Sequence, residues 1–288
     1  MEDFSSIIQN SLNAIFSRIF SSLDNSFYSI LDNLAFINTS ILDNNVIKAL
    51  LGNNINTGIL AICNSFILAF ILYYSLKFLF SHLIYVKTES PKEFIFKAII
   101  FSTLMNNSLW ICEQIIFIID LCTTFLISTA EELFQKTITF SEFLNILNTT
   151  LFWVPAATDL FSFSGIVKSF SSIGLINLVF TFSLRYIMIL IFILISPFAF
   201  LSLLTNSSSW IFKTWIKSFV SLLLYQLIIG LLLIISFTFT NIANSLLVSI
   251  FYVGIIQAFQ RTSFFIKELL GGINISVSNS SNNFSSFF

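Results

Sequence analysis

Long apolar runs are the feature that most constrains this chain. Residues 173–204 are apolar almost throughout, with Arg185 as the one charged residue, and residues 58–80 and 219–239 form similar runs. About 20 such residues are enough to cross the hydrocarbon of a bilayer as a helix. Only 9% of the residues are charged, whereas soluble domains carry about 25%. The sequence therefore predicts an all-α polytopic membrane protein.

Two weaker apolar segments, residues 94–128 and 246–259, bring the predicted number of spans to about five. Residues 94–128 are interrupted by Asn106, Glu113 and Asp120, and they form either one long helix or a broken pair. We prefer a single crossing. Two crossings would invert everything downstream and place the basic residues of the second half outside.

The N-terminal segment, residues 1–56, is predicted to be amphipathic and helical rather than a span. Apolar residues recur at the three-to-four-residue spacing of a helix from Phe4 to Leu34. Such a segment lies on a bilayer surface or packs on a partner. Because its polar face has almost no lysine or arginine, we favour protein contact and expect it to mediate assembly. The acidic start, Glu2 and Asp3, is unlike a signal peptide.

The distribution of lysine and arginine predicts the direction of insertion. With five spans, the connectors on one side collect most basic residues and those on the other side collect most acidic ones. The basic side faces the cytoplasm by the positive-inside rule. The N-terminus and a connecting loop at 129–172 therefore face outward, whereas residues 271–288 form a disordered cytoplasmic tail. The predicted units are 1–56, transmembrane helices 1–2 in 57–128, the loop, transmembrane helices 3–5 in 173–270, and the tail.

Three polar residues within the second span form a candidate site. Asn106, Glu113 and Asp120 are spaced seven apart, which places them on one face of a continuous helix. Charged groups in hydrocarbon usually face a bundle interior or a wet cavity, so they could line a channel or pair with Arg185. Alternatively, the long helix projects from the bilayer and leaves Asp120 among the headgroups.

Arg185 is the second candidate. It lies either near mid-membrane or at the outer edge, where its side chain can extend to the surface. We expect a structural arginine satisfied by carboxylates or by backbone carbonyls of neighbouring helices, and the most plausible acid is Glu113. Further along, Pro197 should kink its helix. Trp210 and Trp215 flank Lys213 and are expected to anchor the chain at the membrane interface. The nearby Lys217 is expected to belong to the same anchor.

Catalytic and metal-binding motifs are missing from the sequence. His82, the single histidine, has no cysteine or carboxylate at the spacing of a zinc site. No nucleophile-elbow, zinc-protease or phosphate-loop motif occurs. The three cysteines form no disulfide framework. We therefore expect no enzyme activity, no cofactor and no metal.

A set of residues in 173–260 resembles a known family. Arg185-Tyr186, then Ser196-Pro197-Phe198-Ala199, then Trp210 to Trp215, and finally Tyr225-Gln226 resemble the TrbL-like polytopic inner-membrane subunit of type IV secretion and conjugation systems, a VirB-type channel family. The outside N-terminus, five spans and inside C-terminus agree with that family. The resemblance implies that Arg185, Pro197 and Trp215 carry its structural pattern.

What the resemblance implies is a non-enzymatic channel or scaffold subunit, present in several copies in the cytoplasmic membrane. It would assemble with other secretion subunits, including ATPases and a coupling protein. Single-stranded DNA with its attached relaxase, or protein, would be the substrate. The acidic outward loop would contact partners. The alternative is a small-molecule or ion permease that uses Glu113, Asp120 and Arg185 as its intramembrane site, although the halves show no repeat of the kind common in transporters.

Overall fold

A computed structural model describes residues 11, 14, 15, 25–52, 57–84, 90–151, 163–205, 207–239 and 245–270. Most of the predicted amphipathic segment before residue 25 and the whole predicted tail, 271–288, lie outside these residues. The regular structure in the described part is helical throughout. In chain order the α-helices are α1 (Asn25–Ala35), α2 (Asn45–Leu51), α3 (Gly58–Ile84), α4 (Pro91–Asn106), α5 (Ser108–Phe134), α6 (Phe140–Leu151), α7 (Phe163–Leu201), α8 (Ser209–Thr238) and α9 (Ser245–Leu270).

Four of these helices are long and apolar enough to cross a membrane. The spanning segments are Gly58–Ser81 in α3, Ser108–Phe134 in α5, Ile173–Leu204 at α7, and Ser209–Thr238 in α8. Helix α9 adds a shorter apolar stretch, Ile250–Ile266. The protein is thus an all-α polytopic membrane protein, as the sequence predicts.

The interrupted second span is two helices that run in the same direction. Helix α4 starts beside the end of α7, where Phe94 packs with Leu204. After the break at Asn107, helix α5 continues and ends with Phe134 facing Phe237 near the end of α8, at a ring distance of 6.4 Å. Helix α8 itself begins just after Leu204. Helix α5 alone is long and apolar enough to span the membrane, and α4 leads into it from the end of the bundle where α8 begins.

Helices α7, α8 and α9 form the centre of the bundle, and consecutive helices in this group are antiparallel. The ring of Phe251 on α9 stacks on that of Phe239 at the end of α8, at 3.5 Å. Toward the middle of α8, the Tyr225 hydroxyl donates to the Phe259 carbonyl at 3.0 Å. Gly174 allows α7 to approach α9, since a Cβ there would lie 2.6 Å from Ile256.

Helix α1 packs inside the bundle of its own chain. Leu31 and Ala35 are fully buried against α6 and α7. The Asp32 carboxylate accepts hydrogen bonds from the backbone N–H groups of Phe140 (2.7 Å) and Ser141 (3.4 Å) at the start of α6. Burial raises the pKa of Asp32, and these two bonds partly offset the rise. Leu31, Asp32 and Ala35 thus contact the bundle of their own chain, and a role of the N-terminal segment in assembly stays a prediction.

Residues 129–172, which the sequence suggested as a connecting loop, contain regular structure where they are described. Helix α5 extends to Phe134, and helix α6 occupies Phe140–Leu151. Phe140 and Phe143 on α6 are almost completely buried, and their rings meet Phe259 on α9 at 5.3 and 5.9 Å. This part of the chain belongs to the core because its apolar residues recur at helical spacing.

Charge divides between the two ends of the bundle. The exposed residues Lys92 and Lys213 lie where α4 and α8 begin, near the end of α7. Glu131 and Glu132 lie at the opposite end, where α5 finishes. The basic and acidic residues whose distribution in the sequence predicts the orientation therefore also lie at opposite ends of the folded bundle.

A buried arginine cluster as the candidate functional site

The guanidinium of Arg185 lies in the interior with no exposed surface. It donates from Nε to the Leu222 carbonyl (2.9 Å), from Nη1 to the Ala35 carbonyl (2.8 Å) and from Nη2 to Oε1 of Gln226 (3.1 Å). Its Cζ also lies 5.1 Å from the ring centroid of Tyr225, within the range of a cation–π contact. One side chain thus joins α7, α8 and the end of α1.

The Ala35 carbonyl is a suitable acceptor because Ala35 is the last residue of α1. Carbonyls in the last turn of a helix have no partner within the helix, and this end carries the negative side of the helix dipole. The bond therefore satisfies a buried acceptor and places partial negative charge beside the arginine.

Gln226 extends the cluster to further elements. Its Oε1 accepts from the backbone N–H of Ile37 at 3.1 Å as well as from Arg185. Its Nε2 lies 3.4 Å from Oγ1 of Thr123 on α5, and that hydroxyl donates to the Ile119 carbonyl at 2.8 Å. Gln226 and Thr123 are both buried. The polar network consequently links α5, α7, α8 and the segment after α1.

The proposed pairing of Arg185 with Glu113 is wrong. All the acceptors of Arg185 are neutral, and the one salt bridge within the described ranges joins Lys48 and Asp43. The sequence leaves carboxylates or backbone carbonyls open as partners, and the structure has two carbonyls there. Neutral groups suffice because three acceptors and an aromatic face surround the guanidinium at once.

The seven-residue spacing of the polar residues does not produce one seam. Asn106 ends α4, and the break at Asn107 separates it from Glu113 and Asp120 on α5. Asn106 instead contacts Asn64 on α3: Nδ2 of Asn64 donates to Oδ1 of Asn106 at 3.3 Å. Glu113 and Asp120 are half-buried beside the packed face of α5 and make no hydrogen bond or ion pair with the described residues.

A second set of hydrogen bonds lies beside Pro197 and Trp215 in the same bundle. Pro197 is buried inside α7 and has no N–H for the Ile193 carbonyl. The Ser196 hydroxyl donates to that carbonyl at 2.7 Å. Nε1 of Trp215 donates to the neighbouring Phe192 carbonyl at 2.9 Å. This contact joins the end of α7 to the start of α8.

The predicted interface anchors divide between surface and core. Trp210 is 64% exposed, and Lys213 and Lys217 are also exposed. Trp215 is only 4% exposed, stacked on Phe219 at 5.3 Å. Trp215 therefore packs the core, which corrects its assignment as an anchor beside Lys213.

The cluster is suited to holding helices together. A guanidinium keeps its charge at any ordinary pH, and none of the described groups bonded to Arg185 is an acid that could exchange a proton with it. Among the described residues there is no group of three or more histidine, cysteine or carboxylate side chains arranged for a metal. The arrangement provides fixed hydrogen bonds across four elements.

Sequence reasoning identified Arg185 but missed most of its partners. Gln226 belongs to the residues that carry the family resemblance and is not among the predicted site residues, although a lone amide in an otherwise apolar span is itself a signal. The Ala35 and Leu222 carbonyls are backbone groups, which no sequence pattern marks.

Comparison of the chain with protein-family models, curated proteins and solved structures finds no match.

Proposed function

We propose that this chain is a non-enzymatic scaffold or channel subunit of a type IV secretion machine. In this proposal several copies assemble in the cytoplasmic membrane, with the N-terminus outside and the C-terminus inside. The observation that carries it is the Arg185–Gln226 contact at 3.1 Å. Both residues belong to the pattern that resembles TrbL-like subunits, and they are in direct contact although 41 positions apart.

The second part of the same pattern supports the proposal independently. Trp215 donates to the Phe192 carbonyl, which is next to the Ile193 carbonyl that Pro197 leaves without its usual N–H donor, at a different level of the bundle from Arg185. The type of machine rests on the resemblance alone.

The scaffold is favoured over a permease by the environment of Arg185. A transport site needs groups that bind and release a substrate or a proton, and such intramembrane charges usually face a wet cavity. Arg185 is fully buried and bonded to three fixed acceptors. Its contacts include neither Glu113 nor Asp120, the other two residues that a permease site would use.

Affinity isolation of the full chain after cross-linking in its native membrane tests the proposal. We expect a secretion ATPase, a coupling protein or a relaxase among the cross-linked proteins, and we expect Arg185→Leu to abolish DNA or protein transfer. Recovery of the chain without any of these proteins would contradict the proposal. Saturable solute flux in proteoliposomes that Glu113→Gln or Asp120→Asn abolishes would favour the permease.

A further inference from the structure

A long apolar groove lies between α3 and α4 on the outside of the bundle. Its volume is about 780 Å³, and its walls include Ile67, Ser75 and Leu79 on α3 and Pro91, Ala98 and Ser102 on α4. The stacked rings of Tyr74 and Phe94, 3.8 Å apart, form part of its wall. Small residues at Ser75, Ala98 and Ser102 keep it open.

The dimensions of the groove fit one acyl chain. From residue 67 to residue 79 the α3 wall is about 18 Å long, at 1.5 Å per residue. One leaflet of the hydrocarbon is about 15 Å thick, half of a 30 Å core. The groove therefore has the length of a single lipid tail that enters from one surface.

One end of the groove is basic. Leu79 and Pro91 line this end, Lys77 lies two residues before Leu79, and Lys92 directly follows Pro91. Both lysines are exposed and form no salt bridge with the described residues. Lys77, Lys92 and the acidic residue Glu93 all lie beside the groove and do not line it, so the described residues place two cations and one carboxylate at this end. Lysine side chains can extend from hydrocarbon to the headgroup level, where a phosphate would meet them.

We propose that the groove binds an anionic phospholipid, with an acyl chain along Ser75 and Ala98 and the phosphate beside Lys77 and Lys92. Charge complementarity favours this occupant over a second copy of the chain. In a two-fold dimer the same patch meets itself, so a dimer through this face would bring the lysines of the two copies together.

Native mass spectrometry of the full chain in detergent, with added phosphatidylglycerol or phosphatidylcholine of identical tails, tests this proposal. The blocking variant is Ser75→Phe. Its matched control is Ser65→Phe on the same helix and outside the groove. Both serines are exposed and donate to the carbonyl four residues earlier, at 2.8 Å for Ser75 and 2.9 Å for Ser65, so neither change should disturb packing.

We expect the wild type and Ser65→Phe to retain phosphatidylglycerol. Binding to Ser75→Phe should fall about tenfold, equivalent to roughly 1.4 kcal/mol. The double variant Lys77→Gln/Lys92→Gln should lose the preference for phosphatidylglycerol, whereas Lys213→Gln/Lys217→Gln should keep it. Equal binding by the two serine variants, or no preference in the wild type, would overturn the proposal. Loss of a subunit from the assembly with unchanged lipid binding in Ser75→Phe would identify a second copy as the occupant and overturn it too.

Discussion

A single side chain, Arg185, connects elements that are far apart in the sequence. Its Nη1 reaches the carbonyl of Ala35, 150 positions away, and its Nε and Nη2 reach α8. Transferring a charge from water to an apolar interior costs several kcal/mol. The three acceptors and the Tyr225 ring offset that cost only when α1, α7 and α8 are correctly placed. Arg185 thus favours one arrangement of the helices over others.

Replacing Arg185 by leucine should destabilise the protein by about 2 kcal/mol, because three hydrogen bonds between elements are lost and each is worth roughly 0.6 kcal/mol in a membrane protein. Denaturation in mixed micelles by added sodium dodecyl sulfate measures the change. Lysine at this position should recover part of the loss, since its ammonium donates but cannot form the planar fork.

Double-mutant cycles separate the partners of Arg185. Arg185→Leu should couple with Gln226→Leu, whose side chain it bonds, and should show no coupling with Glu113→Gln. A coupling energy for Glu113 as large as that for Gln226 would contradict the observed geometry.

Among the elements, α7 shows how a helix accommodates a proline within the membrane. The helix continues through Pro197 because a hydroxyl from the preceding residue, Ser196, supplies the bond that the proline cannot make to Ile193. Trp215 adds a bond to the adjacent carbonyl, that of Phe192. Local side chains therefore satisfy the backbone at the break.

Ser196→Ala should cost about 1 kcal/mol, the usual net value of an intramolecular hydrogen bond. The cost should be much smaller in a Pro197→Ala background, where a backbone N–H again reaches the Ile193 carbonyl. Micelle unfolding of the two single variants and the double variant checks this. Equal costs of Ser196→Ala in the two backgrounds would mean that the hydroxyl does not compensate for the proline.

At the scale of the whole molecule, the kink between α4 and α5 decides the topology. A hairpin at Asn107 would return the chain to the side from which it came, whereas the kinked crossing carries it through. The four long apolar helices and the shorter α9 are consistent with about five crossings, and an odd number would place the two ends of the chain on opposite sides. This count agrees with the sequence-based preference for five.

Single cysteines at the two ends of this crossing test the topology. In a background without Cys63, Cys112 and Cys122, Lys92→Cys and Glu132→Cys should react with a membrane-impermeant maleimide from opposite sides of the bilayer. We expect Lys92→Cys to react from the cytoplasmic side, following the positive-inside rule. Lys213→Cys should behave as Lys92→Cys does. Labelling of positions 92 and 132 from the same side would show two crossings.

The sequence by itself predicted a helical membrane protein with about five spans, and left open whether residues 94–128 cross once or twice. Apolar runs such as 173–204 are long enough to cross a bilayer. The helical spacing of apolar residues in 4–34 distinguished that amphipathic segment from a span. These properties depend on composition and local spacing, which a linear chain contains in full.

Only the tertiary structure decided what the polar residues bond. Arg185 has no acid among its partners, Asn106 contacts Asn64, and Trp215 enters the core, because backbone carbonyls and a helix break determine which groups come within reach. A carbonyl carries no residue-specific signal in a sequence. Its availability depends on where helices end and how they pack, and those are properties of the folded chain.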